Sequence, residues 1–119
     1  MDWKLDDSRP IWQQIAEQLT LLIASGEYAP GSRLPSVREL AASAGVNPNT
    51  MQRALAQLEM EGLAWSNRTA GRMVTEDEEK IEATRKRLAR RHMEDYMTAM
   101  AQLGYDCAAA AALLKEVQE

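Results

Sequence analysis

Asn47, Asn49, Thr50, Gln52 and Arg53 fall within one short stretch around Pro48. The carboxamides of Asn and Gln carry a donor and an acceptor side by side, which matches the adenine edge in a DNA major groove, and the Arg fork matches guanine. Each such bidentate pair is worth roughly 1–3 kcal/mol of discrimination between bases. The Thr50 hydroxyl suits a phosphate oxygen better than a base. Gln52 and Arg53 are adjacent, so on a helix only one of them faces a base squarely; the other meets backbone or solvent. Asn47 has a second role open to it, as a helix cap. No other chemistry is grouped in this way. His92 is the only histidine and Cys107 the only cysteine, fifteen residues further on. That is too few ligands for a structural zinc site, and an intrachain disulfide is excluded. Neither a nucleophile with its base nor a phosphate-cradling glycine loop is visible, so the expectation is a chain that is not an enzyme and needs no metal or cofactor.

The elements that must hold the polar cluster can be read from caps and periodicity. A first helix is expected from Pro10 to Ser25, with Pro10 in the first helical position and Ile11, Ile15, Leu19, Leu22 and Ile23 along one face. Pro30-Gly31 fits the centre of a type II turn. Ser36 and Glu39 have capping-box spacing and start a short helix that ends at Gly45. Asn47 and Pro48 then start a third helix at once, with Met51, Leu55 and Leu58 inward and Gly62 at its close. Two helices joined by a tight glycine-containing turn form a helix-turn-helix, whose second helix presents its first turns to the base edges. Ser36 is first a cap and second a phosphate donor. Leu63–Trp65 and Arg72–Val74 read as two strands around a turn spanning 66–71, a small wing whose Arg68 and Arg72 are placed either to meet phosphate or minor groove or to stay solvated.

From Thr75 the pattern changes. Thr75 and Glu78 again have capping-box spacing, and Ile81, Leu88, His92, Tyr96, Met100 and Leu103 make a mixed apolar stripe along a long helix ending at Gly104. Met93 and Met97 lie in the same crowded stretch. Asp106 caps a last helix, Cys107 to Val117, in which Cys107 reads as a small packed residue beside alanines. The run Arg85-Lys86-Arg87 with Arg90-Arg91 reads as a solvated or ion-paired face, since Glu78, Glu79 and Glu82 lie within helical reach of Lys80, Arg85 and Lys86. The fold class expected is mainly α with a small β-hairpin: a winged helix-turn-helix domain over 1–74 and a two-helix segment over 75–119.

Net charge over the 119 residues is −4, which at first opposes a nucleic-acid partner. The distribution changes that. Between Leu34 and Val74 four arginines face three glutamates, whereas from Thr75 onward seven basic residues face ten acidic ones. The middle is mildly basic and the acid sits at the ends. The longest apolar run, Cys107–Leu114, is mostly alanine and far short of the roughly 18 residues a membrane span needs. The acidic start, Met1-Asp2-Trp3-Lys4-Leu5-Asp6-Asp7, lacks the order of a signal peptide. A reduced cytoplasmic protein with no membrane partner is expected.

Pro10-Ile11-Trp12-Gln13-Gln14-Ile15, then Pro30 through Ala41, Val46 through Thr50 and Leu58 through Leu63 together resemble the GntR family of bacterial transcription regulators. The likeness spans roughly 8–74, and the short helical tail resembles the YtrA-type subfamily. It implies a homodimer on a double-stranded DNA operator of approximate two-fold symmetry, usually as a repressor. The tail stripe of Ile81, Leu88, His92, Tyr96, Met100 and Leu103 is then the dimerising surface, and Arg38 matches an arginine that contacts DNA in the family, against the plainer alternative of a surface ion pair. A small-molecule effector, if one exists, is not named by these residues. The wing departs from the family pattern: Thr69-Ala70-Gly71-Arg72-Met73 keeps Gly71 alone of the usual glycines. The acidic balance keeps a second reading open, a winged helix that binds proteins instead of DNA.

Overall fold

The computed structural model describes residues 2–118, as five helices and a two-stranded antiparallel hairpin in the order α1 (Ile11–Ala24), α2 (Val37–Ala44), α3 (Pro48–Met60), β1 (Ala64–Asn67), β2 (Gly71–Val74), α4 (Glu78–Gln102) and α5 (Cys107–Gln118). The chain is mainly helical, as its sequence indicates. It forms two compact units, one reaching to Arg85 and one starting at Lys86. The first unit therefore runs past the expected domain end at Val74 and into α4. Ile81, expected on a dimer surface, explains the difference: it is part of the first unit's apolar core. Arg85 adds a tie, donating from Nε to the Ala24 carbonyl at 2.9 Å.

The core of the first unit is built from helix faces whose apolar residues recur every three or four positions. Ile15, Leu19 and Ile23 of α1 meet Met51, Leu55 and Leu58 of α3, and all six are fully buried. Leu40 and Ala41 of α2 join from the side, and Leu63 and Val74 close the core under the hairpin. Pro10 stands one position earlier than expected. It is the N-cap of α1, with an extended backbone (ψ 132°) whose carbonyl accepts from the Gln13 and Gln14 amides.

The leading segment is fixed to α1 by two glutamines one helical turn apart. Gln18 accepts from the Lys4 amide and donates to the Lys4 carbonyl, while Gln14 accepts from the Asp6 amide and donates to the carbonyls of Asp6 and Arg9. The Trp3 indole donates to Ser43 Oγ of α2 at 3.0 Å.

The hairpin pairs Ala64 with Val74, Trp65 with Met73, Ser66 with Arg72 and Asn67 with Gly71. Its turn is shorter than the expected 66–71 because the Asn67 side chain accepts from the Thr69 and Ala70 amides, which folds the chain back within three residues. Beyond β2 the chain around Arg33 adds a further bridge, Arg33 to Met73, with the Leu34 amide donating to the Arg72 carbonyl. The Ala29–Ser32 turn with Gly31 in the left-handed region (φ 77°) delivers that strand-like segment.

The start of α4 differs from its expected cap. Asp77, not Thr75, precedes the first helical residue and accepts from the Lys80 amide at 3.1 Å; Thr75 instead accepts from the Asp77 amide. In the second unit Asp106 caps α5 by accepting from the Ala109 amide, and the Tyr96 hydroxyl donates to the Ala110 carbonyl at 3.5 Å. Ala110 is the one buried residue among those described in this unit. Cys107 is exposed and not packed among alanines as expected, because it occupies the first position of α5, on the solvent side. Of the ion pairs expected along α4, Arg85 to Glu82 forms. No helix among the described residues is long and apolar enough to cross a membrane.

Candidate nucleic-acid interface

The helix-turn-helix is fixed by its caps. Ser36 Oγ accepts from the Glu39 amide and the Glu39 carboxylate accepts from the Ser36 amide, so both ends of the capping box are made. Gly45 ends α2 with a left-handed backbone (φ 70°), a conformation that costs a side-chain-bearing residue more than glycine. Two residues later Asn47 Oδ1 accepts from the Asn49 amide at 2.7 Å and Pro48 takes the first position of α3. The chain thus turns and restarts a helix with no spare residues.

This geometry buries Met51, Ala54, Leu55 and Leu58 and turns the opposite face of α3 to solvent. Asn47, Asn49, Gln52 and Arg53 are exposed there, and Thr50 is half-buried at their flank. Asn47 is a cap in fact, which commits its side-chain oxygen locally and leaves its amide nitrogen as the group facing outward. Arg38, on the first turn of α2, is exposed and enters none of the ion pairs among the described residues. Arg53 is also unpaired by a carboxylate, but its guanidinium carbon lies 4.3 Å from the centre of the Trp12 ring on α1.

In the wing, Arg68 is exposed at the turn, and Gly71 beside it has a backbone (φ 90°) that only glycine adopts readily. Arg72 is placed differently from Arg68. Its Nε lies 3.5 Å from a Glu59 carboxylate oxygen, and the Arg72 side chain is only 14% exposed. Ser66 on the neighbouring strand donates its hydroxyl to the same Glu59 oxygen. Glu59 accordingly titrates below the ordinary carboxylate range, chiefly through the Ser66 hydrogen bond, with Arg72 adding to the shift and partial burial opposing it. Arg72 therefore serves to fasten the wing to the last turns of α3. Sequence reading assigns Glu59 and Trp12 no part in the site. The only hint is the position of Glu59 in the last turn of α3, with Ser66 and Arg72 facing each other across the hairpin.

The dimerisation candidates split. Ile81 is buried within the first unit, whereas Leu88 and Met100 are half-buried and His92, Tyr96 and Leu103 are exposed.

Residues 11–74, from the start of α1 to the end of β2, match the model for "Bacterial regulatory proteins, gntR family". The chain belongs to the GntR family. Its helix-turn-helix is thus that of a DNA-binding transcription regulator, and the family is one of regulators, not of enzymes. The chain is 36% identical over 104 residues to the HTH-type transcriptional regulator YhcF of Bacillus subtilis, covering 87% of this chain and 86% of that one. It is 43% identical over 70 residues to the HTH-type transcriptional repressor YtrA of the same organism, a match over 59% of this chain and about half (54%) of YtrA. A solved GntR family transcriptional regulator from Listeria monocytogenes superposes with a TM-score of 0.86 at 38% identity, over 94% of this chain and 98% of that one. The near-complete coverage of YhcF and of the Listeria protein includes the two-helix tail, which places this chain with the YtrA-type members of the family.

Proposed function

We propose that this GntR regulator acts in the cytoplasm as a homodimeric repressor, with α3 of each copy in the major groove of a two-fold symmetric operator. The observation that carries the reading is the outer face of α3: four polar side chains, Asn47, Asn49, Gln52 and Arg53, exposed at the start of a rigidly capped helix, with Arg38 free on the helix before it. A helix N-terminus adds free N–H groups and a partial positive charge that favour a phosphate. Arg38 then meets the backbone from α2, with Ser36 and Thr50 beside it, while Arg68 and Gly71 bring the wing tip to the flank. The operator half-sites should lie one helical turn apart, about 34–36 Å centre to centre. Repression is supported by the likeness to YtrA, and self-association by the apolar side chains that the tail exposes at Tyr96 and Leu103.

The test is selection of genomic fragments retained by the purified chain, followed by affinity measurements at two salt concentrations. Enrichment of a symmetric site, with binding that weakens steeply as salt rises, supports the reading. Arg38→Ala should weaken binding to selected and unrelated DNA alike, whereas Asn49→Ala should flatten the preference between them. A folded chain that enriches nothing would sink it.

A further inference from the structure

The stacking of Arg53 on Trp12 bears on how the interface divides its labour. Gln52 and Arg53 project about 100° apart around α3, so one helix orientation cannot aim both at the same base. The structure breaks the tie. Arg53 leans across to α1, where its guanidinium lies over the Trp12 ring at 4.3 Å, and no carboxylate competes for it among the described ion pairs. Trp12 is half-buried, yet it is not one of the partly buried apolar residues that pack on the core, a group that includes its neighbour Ile11. Its position is thus accounted for by Arg53 better than by the interior. A guanidinium stacked on an indole keeps its N–H edge free while losing most of its freedom to swing, so it is pre-ordered to donate in one direction.

We propose that Trp12 is a positioning residue for DNA binding, holding Arg53 as a phosphate contact on the α1 side of α3 and leaving base reading at this step to Gln52. The proposal rests on the reading of α3 as the DNA-reading helix. It adds a residue of α1 to the interface and assigns different roles to two neighbouring side chains.

The experiment uses the full chain and two fluorescein-labelled duplexes of equal length, one the sequence selected by the wild-type chain and one of random sequence. Affinity is followed by anisotropy across a salt series for wild type, Trp12→Ala, Trp12→Tyr, Arg53→Ala, Gln52→Ala and the Trp12→Ala/Arg53→Ala double variant. Arg53→Ala should weaken both duplexes by the same factor and lower the salt slope by about 0.9 for each phosphate contact removed. Trp12→Ala should weaken both about two- to fivefold, the range expected of a cation–π contact at an exposed site, and Trp12→Tyr should restore most of that loss. In the Arg53→Ala background Trp12→Ala should cost nothing more. Gln52→Ala should lower the preference for the selected duplex without changing the salt slope. If Trp12→Ala weakens binding as much without Arg53 as with it, Trp12 acts through packing and the proposal is overturned. A loss on Arg53→Ala confined to the selected duplex overturns it too, by making Arg53 a base reader. A wild-type chain that selects no sequence and binds no random duplex removes the DNA reading itself, and is told apart from these outcomes because it needs no variant.

Discussion

The first unit buries Ile15, Leu19, Ile23, Met51, Leu55, Leu58, Leu63 and Val74 completely, and the second buries Ala110 and no larger side chain among the described residues. The second unit meanwhile leaves Met93 66%, Leu103 72% and Val117 77% exposed. Composition alone does not produce this contrast, since both units are rich in Leu, Ala and Met. What differs is that α1, α2, α3 and the hairpin cover one another's apolar faces, whereas α4 beyond Arg85 and α5 have between them too little apolar surface turned inward to form a core. A pair of helices with one buried alanine gains little from the hydrophobic effect, which scales with the apolar area removed from water. The first unit holds the exposed face of α3 by its own packing, and the second leaves apolar side chains exposed that, in the reading proposed here, a second copy of the chain covers.

Substitutions of one kind placed in both units test that contrast most directly. Leu55→Ala removes a fully buried side chain at the junction of α1 and α3 and should cost about 2–5 kcal/mol in denaturant unfolding, taking DNA binding with it. Leu103→Ala is a like change on an exposed residue, and should leave unfolding at low protein concentration nearly unchanged. A core-sized loss at Leu103 that does not depend on protein concentration would break the comparison.

A sharper change follows at the same place. Leu103→Arg puts a charge on the exposed apolar face of the tail, and if that face is a self-association surface the variant should lose roughly 2 kcal/mol or more of association free energy. Sedimentation velocity should then show a monomer where wild type sediments as a dimer, with the circular dichroism of the helices retained. Val117→Lys, in the last turn of α5 where a cation suits the helix dipole, should act in the same direction with the helices retained. A tail that stays paired through both changes would move the association to the first unit.

Much of this fold is legible in the chain because its signals are local. The capping box of Ser36 and Glu39, Asn47 ahead of Pro48, the glycines at 45 and 62 and the three-and-four spacing of Ile15, Leu19 and Ile23 each depend on neighbours a few residues away. What escapes is contact between distant positions. The Gln14 and Gln18 carboxamides that hold the leading segment look like ordinary polar residues on a helix, although Gln14 is 3% exposed. Ile81 fits the tail stripe by spacing, yet its environment is fixed by the first unit's core. At the interface the residue types at 47–53 were readable, but that Trp12 would reach Arg53, and Glu59 would take Arg72 out of solvent, follows only from how α1 and the hairpin pack beside α3. The isolated bridge at Arg33 is hidden for the same reason.

The smallest effect expected here lies at the seam between α3 and the wing, and tests whether the first unit is as self-sufficient as its core suggests. Glu59 is held below the ordinary carboxylate range, first by the Ser66 hydroxyl and then by Arg72. A carboxyl whose folded value is depressed contributes its stability in full above its unfolded value, and loses it as pH falls through the folded one. The wing should therefore begin to loosen below about pH 4, where ordinary glutamates take up protons. The amount is a few tenths of a kcal/mol at most, because Glu59 stands partly in solvent and screening weakens the pair. Amide exchange at Trp65 and Met73, compared between wild type and Glu59→Gln from pH 7 down to 3, isolates this from the other carboxylates. The two proteins should differ most at neutral pH and converge in acid, with tail association unaffected by the substitution. Parallel curves across the whole range would mean that the ion pair does not hold the wing, and that the hairpin keeps its place through Leu63, Val74 and the bridge to Arg33.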